Sequence, residues 1–254
     1  MIPSERQRKF LELLSTKKIV TISEFVETFK ISTETVRRDL SILDKQGKIE
    51  KVYGGAKLKA ISQGEPSMND RMVSNLLQKD SIGKKCSEFI QDGDCIFIDS
   101  GSTTHHITKH ILNKKNLIII TNSLPVVNDL INSDFEIIII GGKLRHSEGS
   151  VVSYDYLFNF SQINIQKSFI CTSGITAENG ITDYNMQEAI TRKTIIERSK
   201  EVFVAADSSK FGTDVTINIA PLDKIDYIIT DSYLDKSTVN SFKKIKTKII
   251  LAED

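Results

Sequence analysis

The sequence predicts an α/β protein of two units, a small and mostly helical unit followed by a larger unit built on a parallel sheet. Three short helical patterns and two strand-like runs occupy residues 1–60. Glycine, proline, serine and charged residues then occur together, which is typical of a linker. Beyond residue 76, apolar runs of strand length alternate with helical stretches, as in a sheet with helices on both faces. We therefore expect units at 1–60 and 76–254, joined by a linker at 61–75.

The charges of the chain are divided unequally between these units. The whole chain has 34 Lys and Arg and 33 Asp and Glu, a net charge of +1. Residues 1–60 hold 13 basic and 8 acidic residues, a net charge of +5, which leaves 21 basic and 25 acidic residues, a net charge of −4, in the remainder. A basic surface attracts the phosphates of nucleic acid. The first unit is therefore the candidate for binding DNA.

Two short helices are predicted at the start of the first unit. The segment Ser4–Gln7 begins the first of them. The segment Thr21–Glu24 is a capping box, in which a threonine and a glutamate side chain each accept a hydrogen bond from a backbone amide at the helix start. The helix that follows packs through Phe25, Val26 and Phe29. A tight turn near residues 30–31 then leads to a third helix.

This third helix, which begins at residues 32–40, is the most informative stretch of the first unit. Ser32 can accept a hydrogen bond from a free amide of the first turn, and Glu34 complements the positive helix end. The spacing i, i+4, i+7 predicts a buried face of Val36, Leu40 and Leu43. The last helix of a helix-turn-helix enters the major groove of DNA. The candidate DNA contacts on it are Ser32, Thr33, Thr35, Arg37, Arg38 and Ser41.

Two strand-like runs, Lys48–Val52 and Ala56–Leu58, follow this helix and are joined through Tyr53, Gly54 and Gly55. Gly-Gly between such runs is typical of a hairpin. A hairpin directly after a recognition helix forms a wing beside the DNA backbone, although an ordinary surface hairpin would have the same pattern. An arginine pair on a helix is, likewise, often only solvated surface. The candidate DNA contacts in the wing are Lys48, Lys51, Tyr53, Lys57 and Lys59.

Three motifs of the first unit carry a family resemblance. They are Thr35-Val-Arg-Arg-Asp-Leu40, Gly47 and Gly54-Gly-Ala56, in this order and at this spacing. The unit resembles the winged helix-turn-helix of DeoR-type bacterial transcription regulators. Tyr53 stands where that family usually has histidine, and Lys51 where arginine is usual. The resemblance implies sequence-specific binding to double-stranded operator DNA.

The second unit begins with an amphipathic helical pattern over residues 79–90, and a further helix is predicted over 185–199. Its seven apolar runs are predicted strands: 95–99, 117–121, 136–140, 168–172, 202–206, 227–230 and 247–251. In a parallel sheet of this kind, ligands bind outside the carboxyl ends of the strands. The residues directly after each run are therefore candidates for a binding site.

Those residues are mostly polar or glycine. They fall in the segments Asp99–Thr104, Thr121–Ser123, Gly141–Lys143, Thr172–Gly174 and Asp207–Lys210. The first segment gives the strongest signal, because a strand ends at Asp99 and Gly101 allows a close backbone approach. Hydroxyl groups follow, and a helix is predicted to begin near Thr103, where free amides and the helix dipole would favour a phosphate. The sequence therefore predicts an anion site in this loop.

Four of these segments also carry a resemblance. Ile98–Thr104, Thr121–Ser123, Gly141–Gly142 and Asp207–Gly212 resemble the sensor domain of the same DeoR family, so that the two resemblances cover nearly the whole chain. That domain is similar in fold to ribose-5-phosphate isomerase, which implies a phosphorylated sugar, or a metabolite of one, as the effector.

The resemblance assigns the effector contacts residue by residue. The candidates to hold the phosphate are Ser100, Gly101, Ser102, Thr103 and Thr104. The candidates for hydroxyl groups, charge or the walls of the site are Asp99, Thr121, Asn122, Gly141, Gly142, Lys143, Arg145, Ser173, Gly174, Glu188, Lys193, Asp207 and Lys210. Two alternatives remain open. Lys143 and Arg145 would equally suit an exposed loop, and Glu188 and Lys193 would equally suit a solvated helix face.

An enzyme is the alternative interpretation, namely a phosphosugar isomerase fused to a DNA-binding domain. Such an isomerase needs a carboxylate base, and Asp99, Glu188 and Asp207 are available. After the strand ending at Cys171, however, isomerases carry a paired-acid loop, whereas this chain has Thr172–Ala177, which contains no acid. We therefore expect a site that binds its ligand without turnover, and not an enzyme.

The cysteines and histidines give no comparable signal. Cys86, Cys95 and Cys171 lack the paired spacing of a metal site or a disulfide framework, so we expect buried free thiols in a reducing compartment. His106 and His110 have the i, i+4 spacing that can share a zinc ion, and His105 lies beside them. With no third ligand in the pattern, a partly exposed helix face is favoured, and we expect no metal or cofactor.

The sequence as a whole predicts a transcription regulator, with a repressor of a carbohydrate-utilisation operon favoured over an activator. It shows no signal peptide and no apolar run near the ~20 residues that span a bilayer, so we expect a cytoplasmic protein with no membrane partner. One winged helix rarely recognises enough base pairs alone, so we expect a homo-oligomer, a dimer or tetramer, on repeated half-sites. The candidate moving element between effector and DNA is the linker around 64–71.

Overall fold

The computed structural model describes residues 3–17, 19–45, 49–58, 65–152, 163–242 and 245–253. The chain divides into two units, residues 1–65 and 66–254. The expected linker at 61–75 therefore includes residues that belong to the second unit.

Three helices and a small antiparallel sheet form the first unit. The helices are α1 (Pro3–Thr16), α2 (Ile22–Phe29) and α3 (Thr33–Lys45). The strands are β1 (Val20–Thr21), β2 (Ile49–Val52) and β3 (Gly55–Leu58), in the order β1-β3-β2. The capping box at Thr21 and Glu24 is present, and Lys30 makes the turn before α3 in a left-handed conformation, with φ of 51°. The predicted winged helix-turn-helix is confirmed.

The core of the first unit forms where the apolar faces of its helices meet. The aromatic rings of Phe10 and Phe25 lie 4.4 Å apart between their centroids, and Phe29 packs beside them. The predicted inner face of α3 is confirmed, since Val36, Leu40 and Leu43 are at most 2% exposed. Burial of this stripe fixes which face of α3 remains in solvent.

The second unit contains five α-helices and twelve strands within its described residues. The helices are α4 (Met68–Val73), α5 (Leu76–Ser87), α6 (Leu124–Leu130), α7 (Met186–Arg198) and α8 (Lys236–Ser241). The strands are β4 (Cys95–Ile98), β5 (Ile118–Thr121), β6 (Glu136–Ile139), β7 (Lys143–Arg145), β8 (Ser150–Val152), β9 (Ile165–Ile170), β10 (Gly174–Thr176), β11 (Gly180–Asp183), β12 (Ser199–Ala205), β13 (Ile217–Ala220), β14 (Tyr227–Asp231) and β15 (Lys248–Ala252).

Seven parallel strands form the main sheet, in the order β15-β14-β12-β9-β4-β5-β6. Each of the seven apolar runs in the sequence supplies one of them. Successive side chains point to opposite faces, so that Phe97 and Ile120 belong to one buried cluster and Ile96 and Ile119 to the other. Burial on both faces explains why the runs are continuously apolar.

The strand order indicates where in the sheet a binding crevice is expected. The chain adds β5 and β6 on one side of β4, and later adds β9, β12, β14 and β15 on the other. The direction of winding therefore reverses between β4 and β9, and ligands bind at the carboxyl ends of strands at such a switch point. Asp99 follows β4 and Cys171 follows β9 at this position.

The helical predictions for the second unit are confirmed with small shifts. α5 begins at Leu76 and not at the expected residue 79, and α7 begins after the cap Asn185, as expected. The helix expected near Thr103 is a 3₁₀ helix, Thr104–His110. Outside the main sheet, β7 and β8 form an antiparallel hairpin, and β10, β11 and β13 form a separate sheet. Among the described residues, no helix combines the length and apolar character needed to cross a bilayer.

Candidate functional site

Helix α3, the predicted recognition helix, presents its arginine pair to solvent. Arg37 and Arg38 are exposed, whereas the next residue, Asp39, is only 2% exposed. The Asp39 carboxylate lies 2.5 Å from Nε of Arg6 on α1, and it also accepts a hydrogen bond from Gln7. This buried ion pair fixes the rotation of α3 about its axis, so that the two guanidinium groups face outward.

The other predicted contacts of α3 lie at its start and along the side that faces the wing. Oγ of Ser32 accepts a hydrogen bond from the amide of Thr35 at 3.2 Å and lies 2.9 Å from its hydroxyl, so that both side chains take part in the cap. Thr33 is exposed, and Ser41 is half-buried. Nζ of Lys51 on β2 donates to Oγ of Ser41 at 2.9 Å.

The wing is the hairpin of β2 and β3. Its turn contains Tyr53, which is fully exposed, and Gly54, whose φ of 76° favours glycine. Lys57 pairs with Glu50 on the neighbouring strand, at 3.1 Å. Lys48 and Lys59 lie outside the described residues. Between α3 and the wing is a groove of about 280 Å³, lined by Ile22, Arg37, Leu40, Ser41, Lys51, Val52 and Gly55.

A fully buried carboxylate, that of Asp99, lies at the centre of the second unit's crevice. Its Oδ2 accepts hydrogen bonds from Nε of Arg192 at 2.6 Å, and from the amide and thiol of Cys171, both at 3.0 Å. Its Oδ1 accepts from the amide of Ser100 at 2.8 Å. With all these donors directed at it, Asp99 is a structural anchor for the loop that follows β4.

Arg192 joins this carboxylate to two others. Its Nη1 lies 2.6 Å from Oδ2 of Asp183 at the end of β11, and its Nη2 lies 3.8 Å from Oε2 of Glu188, one turn earlier on α7. The side chain of Arg192 is only 4% exposed. A guanidinium suits this place because its planar array of donors can serve several carboxylates at once.

Glu188 links α7 to the loop and to the β7–β8 hairpin. Its Oε1 accepts from Oγ of Ser150 at 2.6 Å and from Nη1 of Arg145 at 3.4 Å, and its Oε2 accepts from Oγ of Ser100 at 3.4 Å. Burial raises the pKa of Glu188, while the neighbouring Arg192 acts in the opposite direction. Glu188 is 2% exposed, so the alternative of a solvated helix face is wrong for this residue.

Hydrogen bonds within the protein hold the loop from Ser100 to Thr104 in place, and they leave some of its donors available for a ligand. The amide of Ser100 also donates to Oδ1 of Asn122 at 3.1 Å, and the hydroxyl of Thr104 donates to the carbonyl of Asp99 at 2.7 Å. Gly101 packs so closely that a Cβ there would lie 2.5 Å from Cβ and Sγ of Cys171. Within the described residues, the amides of Ser102 and Thr103 donate no hydrogen bond. These amides and hydroxyls are suited to bind an anion.

The remaining predicted site residues lie at varying distances from this cluster. The hydroxyl of Thr121 donates to the carbonyl of Ile98, and that of Ser173 donates to Asp183, so both support the site from within the protein. Gly174 lies so close to Thr213 that a Cβ added to it would be 2.3 Å from the Thr213 carbonyl oxygen. Gly141 and Gly142 lead into β7, where Lys143 is exposed.

Asp207 and Lys210 lie after β12, in a separate part of the crevice. Oδ1 of Asp207 accepts from Nδ2 of Asn75 at 3.2 Å and from the amide of Ser209 at 3.1 Å. Lys210 is half-buried at the end of a 3₁₀ turn, Ser208–Lys210. Lys193 is exposed, because it follows Arg192 on α7 and therefore points away from the buried face. The structure does not bring Lys193 to the cluster.

Sequence reasoning missed Arg192, Asp183, Ser150 and the role of Cys171. One signal for Arg192 was present, because it stands four residues after Glu188 on the same helix face as the buried residues Ala189, Ile195 and Ile196. Burial raises the pKa of the Cys171 thiol, so this group contributes packing and a hydrogen bond and not a nucleophile.

The histidines of the 3₁₀ helix Thr104–His110 are paired with carboxylates. Oδ1 of Asp80 lies 2.7 Å from Nε2 of His110, 3.8 Å from Nδ1 of His106 and 2.6 Å from Nζ of Lys109. Nε2 of His105 lies 2.8 Å from Oδ2 of Asp129. In the described part of the chain, no three His, Cys, Asp or Glu side chains are arranged to hold a metal ion.

Comparison with known proteins gives two family matches that follow the two units. Residues 6–61 match the DeoR-like helix-turn-helix domain, and residues 74–232 match the DeoR C-terminal sensor domain. The chain is 34% identical over 233 residues to the glycerol-3-phosphate regulon repressor of Escherichia coli (strain K12), which covers 91% of this chain and 92% of that protein. It is 35% identical over 231 residues to the HTH-type transcriptional regulator IolR of Bacillus subtilis (strain 168), with the same coverage of 91% and 92%.

Among solved structures, ribose 5-phosphate isomerase A of Methanocaldococcus jannaschii aligns with a TM-score of 0.41 and 14% identity, over 54% of this chain and 55% of that chain.

Proposed function

This chain belongs to the DeoR family of transcription regulators, and we propose that it represses a carbohydrate-utilisation operon and is released from DNA by a phosphorylated sugar. The observation that carries the proposal is the buried cluster around Asp99, Arg192 and Glu188. It holds a loop with free amides and hydroxyls at the switch point of the sheet. Such a loop binds an anionic ligand in a unit that is separate from the DNA-binding unit.

The DNA-binding surface consists of the exposed face of α3 and the adjoining wing. Arg37 and Arg38 can reach guanine edges or phosphates in the major groove, while Lys51 and Tyr53 lie beside them on the wing. The buried pair of Arg6 and Asp39 supports this assignment, because it orients the arginines without using them in internal contacts.

The proposed effector carries a phosphate at one end and hydroxyl groups at the other. The phosphate would lie against the amides of Ser102 and Thr103, whereas Glu188, Asn122 and Arg145 offer hydrogen-bond partners for hydroxyls. The E. coli relative is named for the glycerol-3-phosphate regulon, and glycerol 3-phosphate has this chemistry. We therefore propose a small sugar phosphate or polyol phosphate as the ligand class.

The chain is a regulator and not a phosphosugar isomerase, since the relatives that it matches are named as regulators or repressors of transcription. The surroundings of Asp99, one of the three candidate bases, agree with this conclusion. An isomerase requires a carboxylate that is available to remove a proton from the substrate. Asp99 is engaged by Arg192, Cys171 and the loop backbone.

We also propose that the protein acts as a homo-oligomer in the cytoplasm. A dimer or tetramer would place pairs of α3 helices on half-sites about one helical turn, or a multiple of it, apart. Analytical ultracentrifugation with and without operator DNA gives the number of chains for each bound duplex. One chain on each duplex would contradict the oligomer.

Fluorescence anisotropy tests the proposed function as a whole. The duplex is the DNA upstream of the protein's own gene, with a scrambled duplex of equal composition as the control. We expect a Kd of about 10⁻⁸ M or tighter at physiological salt, with strong salt dependence. One member of a panel of glycerol 3-phosphate, fructose 1-phosphate, fructose 6-phosphate and ribose 5-phosphate should weaken this binding. Equal affinity for both duplexes, or no effect of any phosphate, would contradict the proposal.

A further inference from the structure

The β7–β8 hairpin forms one wall of the effector site. Two of its residues, Arg145 and Ser150, contact Oε1 of Glu188, at 3.4 and 2.6 Å. The amide of Val151 donates to the carbonyl of Asn122 at 2.7 Å. The hairpin therefore contacts the side chain of Glu188 and the backbone of Asn122, two residues that would contact a sugar phosphate, and a ligand that displaces the Glu188 contacts would shift it.

The turn of the same hairpin binds a different element, the helix α4. The carboxylate of Glu148 forms an ion pair with the guanidinium of Arg71 on α4, and the two side chains are 4% and 15% exposed. α4 (Met68–Val73) is the first helix of the second unit, so the chain passes through it on the way from the DNA-binding unit.

A second set of contacts ties the end of α4 to α5 and to the loop after β12, which contains the predicted effector contact Asp207. Nζ of Lys79, which is 2% exposed, donates to the carbonyl of Ser74 at 2.8 Å and to that of Arg71. Asn75, between α4 and α5, donates to Asp207 at 3.2 Å. Burial lowers the pKa of Lys79 to about 8, and the nearby Asp207 acts in the opposite direction. Arg71, in the last turn of α4, and Asn75, just after the helix, are thus connected to two segments that contain predicted effector contacts, the β7–β8 hairpin and the loop after β12.

We propose that Arg71 and Glu148 form a latch that couples occupancy of the effector site to the position of α4, and through α4 to the DNA-binding unit. This inference rests on the proposed function and adds to it the element that transmits the signal. A nearly buried ion pair suits this role because its partners lose much of their stabilisation once separated, which favours two discrete arrangements over a continuous range.

Effector binding and DNA binding can influence each other only if both shift the equilibrium of the same two-state element. On the effector side, Arg145 and Ser150 contact Glu188, and they lie on the same hairpin as Glu148 of the latch. On the DNA side, the link is the chain itself, because α4 is the first helix after the DNA-binding unit. Removing either partner of the latch should therefore leave both binding sites intact while weakening the communication between them.

The test compares full-length wild type with Arg71→Gln, Glu148→Gln and the double variant. For each protein, anisotropy gives the DNA Kd without ligand and with the saturating phosphate from the panel of four that releases the wild type, and calorimetry gives the Kd of that phosphate. Coupling factors are typically about 5- to 150-fold. We expect each single variant to retain both separate affinities within about threefold, while the ratio of the two DNA Kd values falls below about twofold.

Because the latch is a pair, the double variant should lose no more coupling than either single variant. Additive losses in the double variant would overturn the proposal, as would a wild-type coupling factor in folded Glu148→Gln. Thermal unfolding of each variant establishes that it is folded at the assay temperature.

A matched control separates loss of the latch from general destabilisation. Lys167 and Asp94 form another ion pair of the second unit, with 2.6 Å between Nζ and Oδ2 and side chains 13% and 11% exposed. Lys167→Gln should lower stability similarly and leave the coupling factor unchanged. An equal loss of coupling in this control would overturn the latch. If the wild type itself binds no DNA, or is released by none of the phosphates, the proposed function fails and the latch with it.

Discussion

Nε of Arg192 lies 2.6 Å from Oδ2 of Asp99, and both side chains are almost completely inaccessible to solvent. Since Asp99 also accepts the amide of Ser100, this pair connects α7 directly to the loop that would hold the phosphate. This ion pair orients the loop after β4 as well as stabilising the fold. The frame of the effector site therefore depends on Arg192, which reaches the predicted phosphate contact Ser100 through Asp99 and also through Glu188.

Replacement of Arg192 by Met should lower the free energy of unfolding by about 3–5 kcal/mol, because it leaves buried carboxylates without their cation. Urea denaturation of the variant measures this loss. Lys193→Met is the matched control, since the neighbouring lysine is exposed and its removal should change stability by no more than about 0.5 kcal/mol. A loss below about 1 kcal/mol in Arg192→Met would contradict the structural role given to this pair.

Arg37→Ala and Arg38→Ala should each weaken binding to upstream DNA by about 1–3 kcal/mol, because each removes an exposed guanidinium from the recognition helix. The affinity for the sugar phosphate should not change. Anisotropy and calorimetry measure the two affinities. Lys200→Ala, which removes an exposed cation from the second unit, is the control for general charge effects. If both arginine variants bound DNA like the wild type, α3 would not be the recognition helix.

Ser102→Glu should have the opposite pattern. Ser102 is 6% exposed in the predicted phosphate loop, so a carboxylate at this position would repel a bound phosphate. We expect the phosphate Kd to rise at least tenfold and the DNA Kd without ligand to stay unchanged. Gln91→Glu adds the same charge at an exposed position and should alter neither value. Unaltered phosphate affinity in Ser102→Glu would place the anion elsewhere.

His106 should make the stability depend on pH in the acid range. Burial, the main cause, lowers the pKa of His106 from 6.5 to about 4; Lys109 also lowers it, and Asp80 acts in the opposite direction. Between these two values the unfolded chain binds a proton that the folded protein does not. Stability from this group is thus present above about pH 6.5 and is lost as the pH falls toward 4.

Urea denaturation at pH 7.0, 5.5 and 4.5 measures this effect. The decline in stability should be smaller in His106→Gln than in the wild type. His146→Gln, at an exposed histidine, should retain the full decline. If the free energy of unfolding declined equally with falling pH in wild type and His106→Gln, His106 would not be held neutral by its surroundings.

The sequence was sufficient to predict the elements whose signals are local. The strands of the main sheet lie in apolar runs that are rich in isoleucine. The caps at Thr21 and Asn185 mark helix starts by their own side chains. The buried face of α3 likewise follows from helical spacing alone. Each of these features depends on residues within a few positions of one another.

The contacts of the site could not be predicted in the same way because they join distant segments. Asp99 and Arg192 are 93 residues apart, and Ser150 and Glu188 are 38 apart. On α7, Glu188 and Lys193 looked alike in sequence, yet one is buried and the other exposed, since the packing against the sheet chooses the face. The pairing of Arg71 with Glu148 also depends on this long-range packing.

The central claim is that sugar-phosphate binding and DNA binding are linked in one chain, and reciprocity tests it most directly. Calorimetry measures the phosphate Kd of the full-length protein alone and when saturated with upstream DNA, and anisotropy measures the DNA Kd with and without the phosphate. Linkage requires the same factor in both experiments. We predict equal factors of about 5-fold or more. A phosphate that binds with the same affinity whether or not DNA is present would contradict the account.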